Sequence, residues 1–184
     1  MSEWKEISLH DIKGIKIGHA QDAEHATGCT VIIPDKKAIC GVDVRGGGPA
    51  SRENQLLNPL MSNDGVNAVL LSGGSAFGLD AAGGVMKYLE EKGRGVKVGD
   101  AIVPIVVGSC IFDLGCVSGK VRPDADMGYA ACLDSEDNKE RNGNVGAGMG
   151  ATVGKLHGAE YSMKSGLGCY AVLTGMLQEV RLCR

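Results

Sequence analysis

The sequence predicts one domain of mixed α/β class, in which helices cover β-sheets. Three observations support this prediction. The chain has 184 residues, which suits a single domain. Short apolar runs with strand character alternate in part with two runs of helical spacing, and no linker or repeat interrupts them. Hydrophobic residues make up 43% and charged residues 22% of the chain, as in soluble globular proteins.

The first half of the chain is predicted to be mainly β. Residues Ile12–His19 alternate apolar and polar side chains, which is the period of a half-buried strand. The β-rich runs Cys29–Pro34 and Ala38–Val44 are separated by the polar triplet 35–37, so we expect a hairpin there. The apolar run Val66–Leu71 predicts a buried strand.

The second half of the chain is predicted to alternate between helices and strands. Apolar residues follow helical spacing from Ala76 to Glu91, and Gly93 and Gly95 are expected to end that helix. The remaining expected elements are a strand over Ala101–Val107, a helix over Pro123–Cys132 opened by proline and early acidic residues, a polar loop over Asp134–Asn144 and a strand over Tyr170–Met176.

Composition excludes several classes of protein. The net charge is −3 and no basic stripe occurs, which argues against a nucleic-acid partner. The polar, acidic start is unlike a signal peptide, and no apolar run reaches the about 18–20 residues of a membrane helix. None of the seven cysteines forms a Cys-x-x-Cys pair, and several lie in apolar runs. We therefore expect free thiols, a cytoplasmic location and no membrane partner.

Glycine is the most informative residue type. It accounts for 29 of the 184 residues, about twice its usual share. Three clusters stand out, namely Arg45–Pro49, Ser72–Gly78 and Asn144–Lys155. Glycine permits positive φ and close backbone approach at a cost in conformational entropy. We therefore expect the main chain to crowd a neighbour or a substrate at these clusters.

The cluster Ser72–Gly78 falls where a predicted strand gives way to a helix. Such a turn can aim backbone N–H groups at an anion or an oxyanion. Ser75 loosely resembles the serine of a nucleophile elbow, but the last glycine lies one position late for Gly-x-Ser-x-Gly. The alternative, which we favour over a nucleophilic Ser75, is that Ser72 or Ser75 caps the helix while the glycines allow close packing.

The cluster Asn144–Lys155 superficially resembles a phosphate-binding loop. Its glycine–lysine pair is followed by Leu156 instead of serine or threonine, so the P-loop pattern fails. A dinucleotide-binding fingerprint fails as well, because no clear strand precedes the glycines. We expect backbone packed tightly on backbone here.

The other candidate residues carry weaker signals. None of the four histidines shares a metal-ligand spacing with a cysteine or with another histidine, so neither a metal nor a cofactor is predicted. His19, at a strand end, is expected to be structural. Arg45, with Arg52 and Glu53 downstream, could bind a carboxylate, although a local ion pair at a helix start is the interpretation we favour.

Three segments together resemble one enzyme family. They are Gly41–Pro49, Leu71–Ala82 and Gly143–Lys155, and the short stretches 111–115 and 121–124 fit as well. In this order they are similar to the L-aminopeptidase/D-esterase family, which includes the β-peptidyl aminopeptidases. The similarity runs from about Ile12 to Gln178.

The resemblance implies both a fold and a mechanism. The fold is an α-β-β-α sandwich shared with the ornithine acetyltransferases. The family makes one precursor that cleaves itself, and the new N-terminal serine or threonine is the nucleophile, with its own α-amine as the base. An asparagine in the preceding strand helps to hold the oxyanion. The enzyme is a serine aminopeptidase, esterase and amidase that releases N-terminal residues from small peptides, amides or esters, and it assembles into homo-oligomers.

The resemblance fades after about Gln178, because residues 179–184 do not continue as the apolar strand of the family. It therefore places the cleavage site, the nucleophile and the oxyanion asparagine beyond Arg184. We expect residues 1–184 to be an incomplete single domain that is inactive alone and partnered by the missing C-terminal fragment. Its unpaired sheet edge should favour self-association.

No catalytic residue is expected within the chain itself. The resemblance implies instead that the chain contributes scaffold and pocket wall, with substrate-pocket residues Gly73, Gly74, Ser75, Phe112 and Asp113. Two alternatives stay open. One is an acyltransferase of the ornithine acetyltransferase type, and the other is a non-catalytic module that binds a small anion at the glycine turns.

Overall fold

The structure, a computed structural model, describes residues 4–139 and 141–174 together with the backbone of 178–183. Two α-helices occur in these residues, α1 (Ala81–Glu91) and α2 (Ala125–Asp134). The strands are β1 (Lys5–Ile7), β2 (Ile15–Asp22), β3 (Thr27–Pro34), β4 (Ala50–Arg52), β5 (Ala68–Ser72), β6 (Val96–Val98), β7 (Ala101–Val103), β8 (Val106–Cys110), β9 (Thr152–Val153), β10 (Met163–Lys164), β11 (Gly168–Leu173) and β12 (Gln178–Cys183).

A five-stranded sheet in the order β2-β3-β5-β8-β4 forms the centre of the molecule. The pair β5 and β8 is parallel, and the other three pairs are antiparallel. A parallel pair needs a crossover, and α1 lies within the connection from β5 to β8. Parallel pairing brings the carboxyl ends of β5 and β8 to the same edge of the sheet.

Both helices cover one face of the central sheet. An apolar cluster lies between the two helices and the sheet. It is built mainly from small and branched side chains, because the chain has few aromatic residues. It is contributed by strands and helices alike, including Val31, Leu70, Val85, Leu89 and Val106. Residues of β5 alternate between this cluster and the opposite face, which is the period of two expected for a strand.

The two helices approach each other closely at a pair of glycines. A Cβ added to Gly84 would overlap the carbonyl oxygen of Ala125, and one added to Gly128 would overlap that of Ala81. Gly18 in β2 meets α2 in the same way, at the carbonyl of Ala131. Glycine is therefore required where backbone meets backbone in the helix layer.

A second, three-stranded sheet in the order β1-β11-β12 lies over the other face of the central sheet. The two sheets are joined by a smaller apolar cluster, in which Leu9, Ile12 and Ile17 pack with Ala171. The described residues thus form helix, sheet and sheet layers, in agreement with the predicted mixed α/β class. No α-helix in these residues is long and apolar enough to cross a membrane.

The predicted hairpin between Cys29–Pro34 and Ala38–Val44 is wrong. The observed β3 pairs with β2 on one side and with β5 on the other, so both of its edges are occupied. Of the second run, only Ala38 forms a bridge, to Val66. The apolar, β-branched composition of 38–44 therefore does not lead to a strand in this structure.

Several other elements differ from the prediction in their limits. The helix expected over Pro123–Cys132 is α2, and the strand expected over Tyr170–Met176 is β11, with residues 175 and 176 outside the described part of the chain. The strand expected over Ala101–Val107 is divided into β7 and β8, because Pro104 between them cannot donate to a ladder. The helix expected from Ala76 begins as a 3₁₀ helix over Ser75–Asp80 and becomes α-helical only at Ala81. In this first turn Gly78 packs on the carbonyl oxygen of Gly73.

Candidate functional site

The candidate site lies at the edge where β5 and β8 end side by side. Ser72 pairs with Cys110 in the parallel register. Beyond them the two chains stay hydrogen bonded, since the Ile111 N–H donates to the Ser72 carbonyl at 2.8 Å and the Ser75 N–H donates to the Ile111 carbonyl at 2.9 Å. The glycine turn after β5 and the segment 111–113 after β8 are therefore one unit. Ligands of open α/β sheets bind at such carboxyl edges.

Asp113 is the buried anchor of this unit and is only 5% exposed. Its Oδ1 accepts the Gly74 N–H at 2.6 Å, and its Oδ2 accepts the Thr27 hydroxyl at 2.9 Å. Glycines surround the carboxylate, because a Cβ on Gly73 would overlap Oδ2 and one on Gly150 would lie 2.5 Å from it. The site therefore joins three separate segments of the chain through one carboxylate.

Ser75 has a strained backbone but no catalytic partner. Its φ is 54°, in the left-handed region that non-glycine residues rarely adopt. Within the described part of the chain, its hydroxyl forms no hydrogen bond to a histidine, lysine or carboxylate. A serine needs such a base to become a nucleophile. The geometry therefore does not support the nucleophile-elbow interpretation.

The prediction that Ser72 or Ser75 caps the helix is wrong. The cap position of the 3₁₀ helix is occupied by Gly74, and no side chain caps either that helix or α1. The Ser72 hydroxyl is instead buried without a hydrogen-bond partner in the described structure. The other half of the prediction is confirmed, since Gly73 and Gly78 permit close packing at this turn.

The glycine segment Asn144–Lys155 packs backbone against backbone, as predicted. A Cβ on Gly146 would overlap the Thr30 hydroxyl, and one on Gly148 would overlap the Leu167 backbone nitrogen. Lys164 forms hydrogen bonds to the backbone of this segment and of its neighbour, Ser165. Its Nζ donates to the carbonyls of Gly148 at 3.1 Å, Ala151 at 3.2 Å and Ser165 at 2.7 Å.

Two adjoining cavities open between this glycine segment and the end of β8. Their volumes are about 300 Å³ and about 230 Å³. Phe112, Thr152 and Lys155 line both of them. The larger cavity is bounded mainly by apolar side chains and glycine backbone, which is typical of small-molecule sites.

The structure brings together most of the residues predicted for the substrate pocket. Asp113 holds Gly74 by a hydrogen bond and packs against Gly73, while Phe112 is 66% exposed and faces both cavities. Ser75 joins them only through its backbone bond to the residue before Phe112. Whether these residues touch a substrate stays a prediction.

Sequence reasoning missed several residues of this unit. Thr27 and Gly150 both contact Asp113, and Lys164 fixes the wall of the larger cavity. A threonine at a strand start and a lysine in a polar stretch carry no local signal of such a role. Only the glycine content around residue 150 indicated a close approach.

His19 is buried next to the glycine segment, consistent with the structural role expected for it. The Ala147 N–H donates to Thr30 Oγ1 at 3.1 Å, and Thr30 Oγ1 lies 3.0 Å from His19 Nδ1. The Thr30 hydroxyl hydrogen can then be donated to a neutral imidazole. Burial lowers the His19 pKa from 6.5 to about 4, while Asp134 opposes and Arg141 assists this shift.

The low pKa of His19 predicts a loss of stability in acid. The unfolded chain takes up a proton at this histidine below about pH 6.5, whereas the folded chain resists protonation until about pH 4. We expect the free energy of unfolding to fall by roughly 3 kcal/mol between these pH values. Urea unfolding at several pH values measures this. His19→Gln should flatten the profile in that window, whereas the exposed-site control His157→Gln should not.

The remaining charged candidates lie apart from the cavities. Arg45 forms an exposed ion pair with Asp43, with 2.7 Å between Nε and Oδ2, and it lies in no helix. It is therefore a local ion pair, as favoured, but not one at a helix start. No cluster of three or more histidine, cysteine, aspartate or glutamate side chains in the described residues could hold a metal ion.

Comparison with known proteins identifies relatives of this chain. Residues 8–168 match peptidase family S58. An uncharacterized aminopeptidase of Mycobacterium tuberculosis is 44% identical over 172 residues, a match that covers 87% of this chain and 50% of the relative. A 6-aminohexanoate-oligomer endohydrolase of Agromyces sp. is 33% identical over 155 residues, which covers 84% of this chain and 41% of the relative.

Solved structures share the fold at low sequence identity. The L-aminopeptidase D-Ala-esterase/amidase of Ochrobactrum anthropi, described as a variant of the Ntn hydrolase fold, superposes with a TM-score of 0.68 at 15% identity. That match covers 89% of this chain and 47% of the other. A β-aminopeptidase of Burkholderia sp. gives a TM-score of 0.65 at 18% identity, covering 88% and 45%. The chain thus spans about half the length of these relatives.

Proposed function

Since the chain belongs to peptidase family S58, we propose that it forms the scaffold and one pocket wall of a serine aminopeptidase of the N-terminal-nucleophile type. The enzyme would release N-terminal residues from small peptides, amides or esters. Relatives that carry the names of an aminopeptidase and of an oligoamide hydrolase support amide-bond hydrolysis. The fold shared with an aminopeptidase that is also an esterase and amidase is compatible with this breadth of substrates.

The observation that carries the proposal is the fixed carboxyl edge of β5 and β8 beside the two cavities. Asp113 joins the glycine turn to Thr27 by hydrogen bonds and packs against Gly150, so one carboxylate supports this part of the wall from three segments. Such rigid support is what a hydrolase needs to hold a substrate in a reactive geometry. Phe112 and the glycine backbone at 148–152 offer an apolar surface for a small substrate.

The nucleophile, on this proposal, comes from a second segment produced by self-cleavage of a longer precursor. Its new N-terminal serine or threonine would use its own α-amine as base, and the oxyanion asparagine would lie in the strand that precedes the cleavage site, also outside residues 1–184. In the described residues no base lies beside Ser75, which supports the proposal that another segment supplies the nucleophile. The partners would be that C-terminal fragment, further copies of the chain in a homo-oligomer, and a small peptide, amide or ester substrate.

The 184-residue chain alone is therefore expected to be inactive. Incubation with aminoacyl p-nitroanilides should release p-nitroaniline no faster than the heat-denatured chain does. A Ser75→Ala variant serves as the matched control, and it should behave like the unmodified chain. Turnover by the unmodified chain that disappears in Ser75→Ala would overturn the proposal in favour of a nucleophile elbow.

A further inference from the structure

A separate cavity, of about 500 Å³, lies where the two α-helices begin. It shares no lining residue with the two cavities beside the end of β8. Asp80, directly before α1, and Asp124, directly before α2, both line it. Lys120 and Arg122, in the segment that leads into α2, line it as well. Two carboxylates and two cationic groups therefore meet around one cavity.

These four charged groups are not paired with one another. Within the described part of the chain, none of them forms an ion pair. Asp124 uses Oδ1 to accept the Met127 N–H at 2.9 Å, which caps α2. Asp80 occupies the corresponding position of α1, but its side chain forms no capping hydrogen bond. The charged groups thus keep their capacity for charge-assisted hydrogen bonds to a ligand.

Arg122 is held in a defined orientation. Its guanidinium carbon lies 4.0 Å from the centre of the Phe77 ring, and its Nη1 donates to the Gly119 carbonyl at 2.8 Å. Phe77 is 58% exposed, so this cation–π contact lies at the surface and not in the core. The edge formed by Nε and Nη2 has no acceptor in the described structure. A planar guanidinium fixed in this way can bind a carboxylate by two parallel hydrogen bonds.

The balance of charges around the cavity favours a ligand that carries both signs. The formal charges of the two acidic and two basic lining residues cancel. A simple anion would be attracted by Arg122 but repelled by Asp80 and Asp124. A ligand with a carboxylate and an ammonium group can pair each charge with its opposite. The volume is in the range of small-molecule sites, and Phe77, Val121 and Pro123 offer apolar surface to its side chains.

We propose that this cavity binds a free amino acid or a short unblocked peptide, with the ligand carboxylate on Arg122 and the ligand ammonium group at Asp80. The Phe77 ring is a positioning group, because it orients the guanidinium. The inference does not rest on the catalytic proposal, since it uses only the charges, contacts and volume of a cavity that is separate from the other two.

Blocked and unblocked dipeptides test the chemistry of the ligand. Isothermal titration calorimetry of the 184-residue chain compares L-alanyl-L-alanine with its C-terminal amide and with its N-acetyl derivative. We expect each blocked ligand to bind about tenfold more weakly than the free dipeptide, because each loses one charge-assisted interaction. Equal affinities for the three ligands, or no binding of the free dipeptide, would overturn the proposal.

Two substitutions assign the two ends of the ligand. Arg122→Gln should weaken binding of the free dipeptide about tenfold and leave binding of the amide unchanged, and Asp80→Asn should weaken the free dipeptide but not the N-acetyl derivative. Arg45→Gln removes an exposed arginine outside the cavity and is the matched control, with no expected effect. If Arg122→Gln has no effect, the dipeptide binds elsewhere, including at the cavities beside β8, and the assignment is wrong.

Phe77→Leu keeps the test decisive if circular dichroism shows that Arg122→Gln does not fold. Leucine preserves the apolar wall but removes the ring on which the guanidinium lies. We expect the affinity for the free dipeptide to fall several-fold, with that for the amide unchanged. Unchanged affinity for the free dipeptide would contradict the role given to Arg122.

Inorganic phosphate distinguishes a simple anion site from the proposed one. Phosphate should not displace the dipeptide, because Asp80 and Asp124 repel it. Displacement by phosphate that becomes stronger in Asp80→Asn would refute the proposal. The hydrolase proposal is unaffected by any of these results, because the experiments measure binding at a cavity to which no catalytic group has been assigned.

Discussion

Gly84→Ala is expected to lower the free energy of unfolding by about 3 kcal/mol. The added methyl group would overlap the carbonyl oxygen of Ala125 and approach the backbone nitrogen of Tyr129, so α1 and α2 must separate. Backbone atoms cannot move aside as a flexible side chain would. The cost is therefore that of forcing an extra methyl into a closely packed helix pair. Urea unfolding monitored by circular dichroism measures it.

The chain contains a closely matched control for this substitution. Gly83 lies in the same helix at an exposed position, and its added Cβ would lie 3.8 Å from the Ala125 side chain. Gly83→Ala should stabilise the chain by about 0.5–1 kcal/mol, because alanine is the better helix former. Opposite signs at adjacent glycines are the expected result. Equal effects would show that the helices do not pack as described.

Asp113→Ala is the second substitution with a large expected effect. It leaves the Gly74 N–H and the Thr27 hydroxyl without their acceptor in a buried place. Each unsatisfied buried donor costs about 1–3 kcal/mol, so we expect a loss of about 2–6 kcal/mol in the free energy of unfolding. Thermal and urea denaturation both report it.

Asp113→Asn separates the hydrogen bonds from the shape of the side chain. The amide oxygen can still accept the Gly74 N–H, and the amide nitrogen can donate to Thr27 once its hydroxyl rotates. We expect it to cost less than half as much as Asp113→Ala. If Asp113→Asn lowers the free energy of unfolding as much as Asp113→Ala does, the negative charge, and not the two hydrogen bonds, stabilises the turn. That result would contradict the role described for Asp113.

Local patterns in the sequence predicted much of the fold. The alternation around Ile17 and the apolar run at 66–71 correspond to β2 and β5, and the spacing from Phe77 to Leu89 corresponds to the turn before α1 and to α1 itself. These elements follow the sequence because each buries one face on the central sheet. The resemblance to the aminopeptidase family is confirmed by the family match and by the shared fold.

Other features depend on contacts that no local pattern encodes. The run Ala38–Val44 has the composition of a strand, yet it does not pair with β3. One edge of β3 is occupied by β2 and the other by β5. Serine is a residue type that often caps helices, but the Ser72 side chain is buried, and its hydroxyl has no hydrogen-bond partner in the described structure. The Asp113 anchor joins residues 27, 74 and 150, and only the folded chain brings these segments together.

On the proposed function, the hydrolytic nucleophile is not among the described residues. Sulfonylation by a serine-directed sulfonyl fluoride, followed by intact-mass measurement and peptide mapping, tests this most directly, because a reactive serine displaces the fluoride and keeps the sulfonyl group even if substrate binding is incomplete. We expect no stoichiometric adduct on the folded 184-residue chain. One adduct per chain at Ser75, absent after heat denaturation, would contradict it.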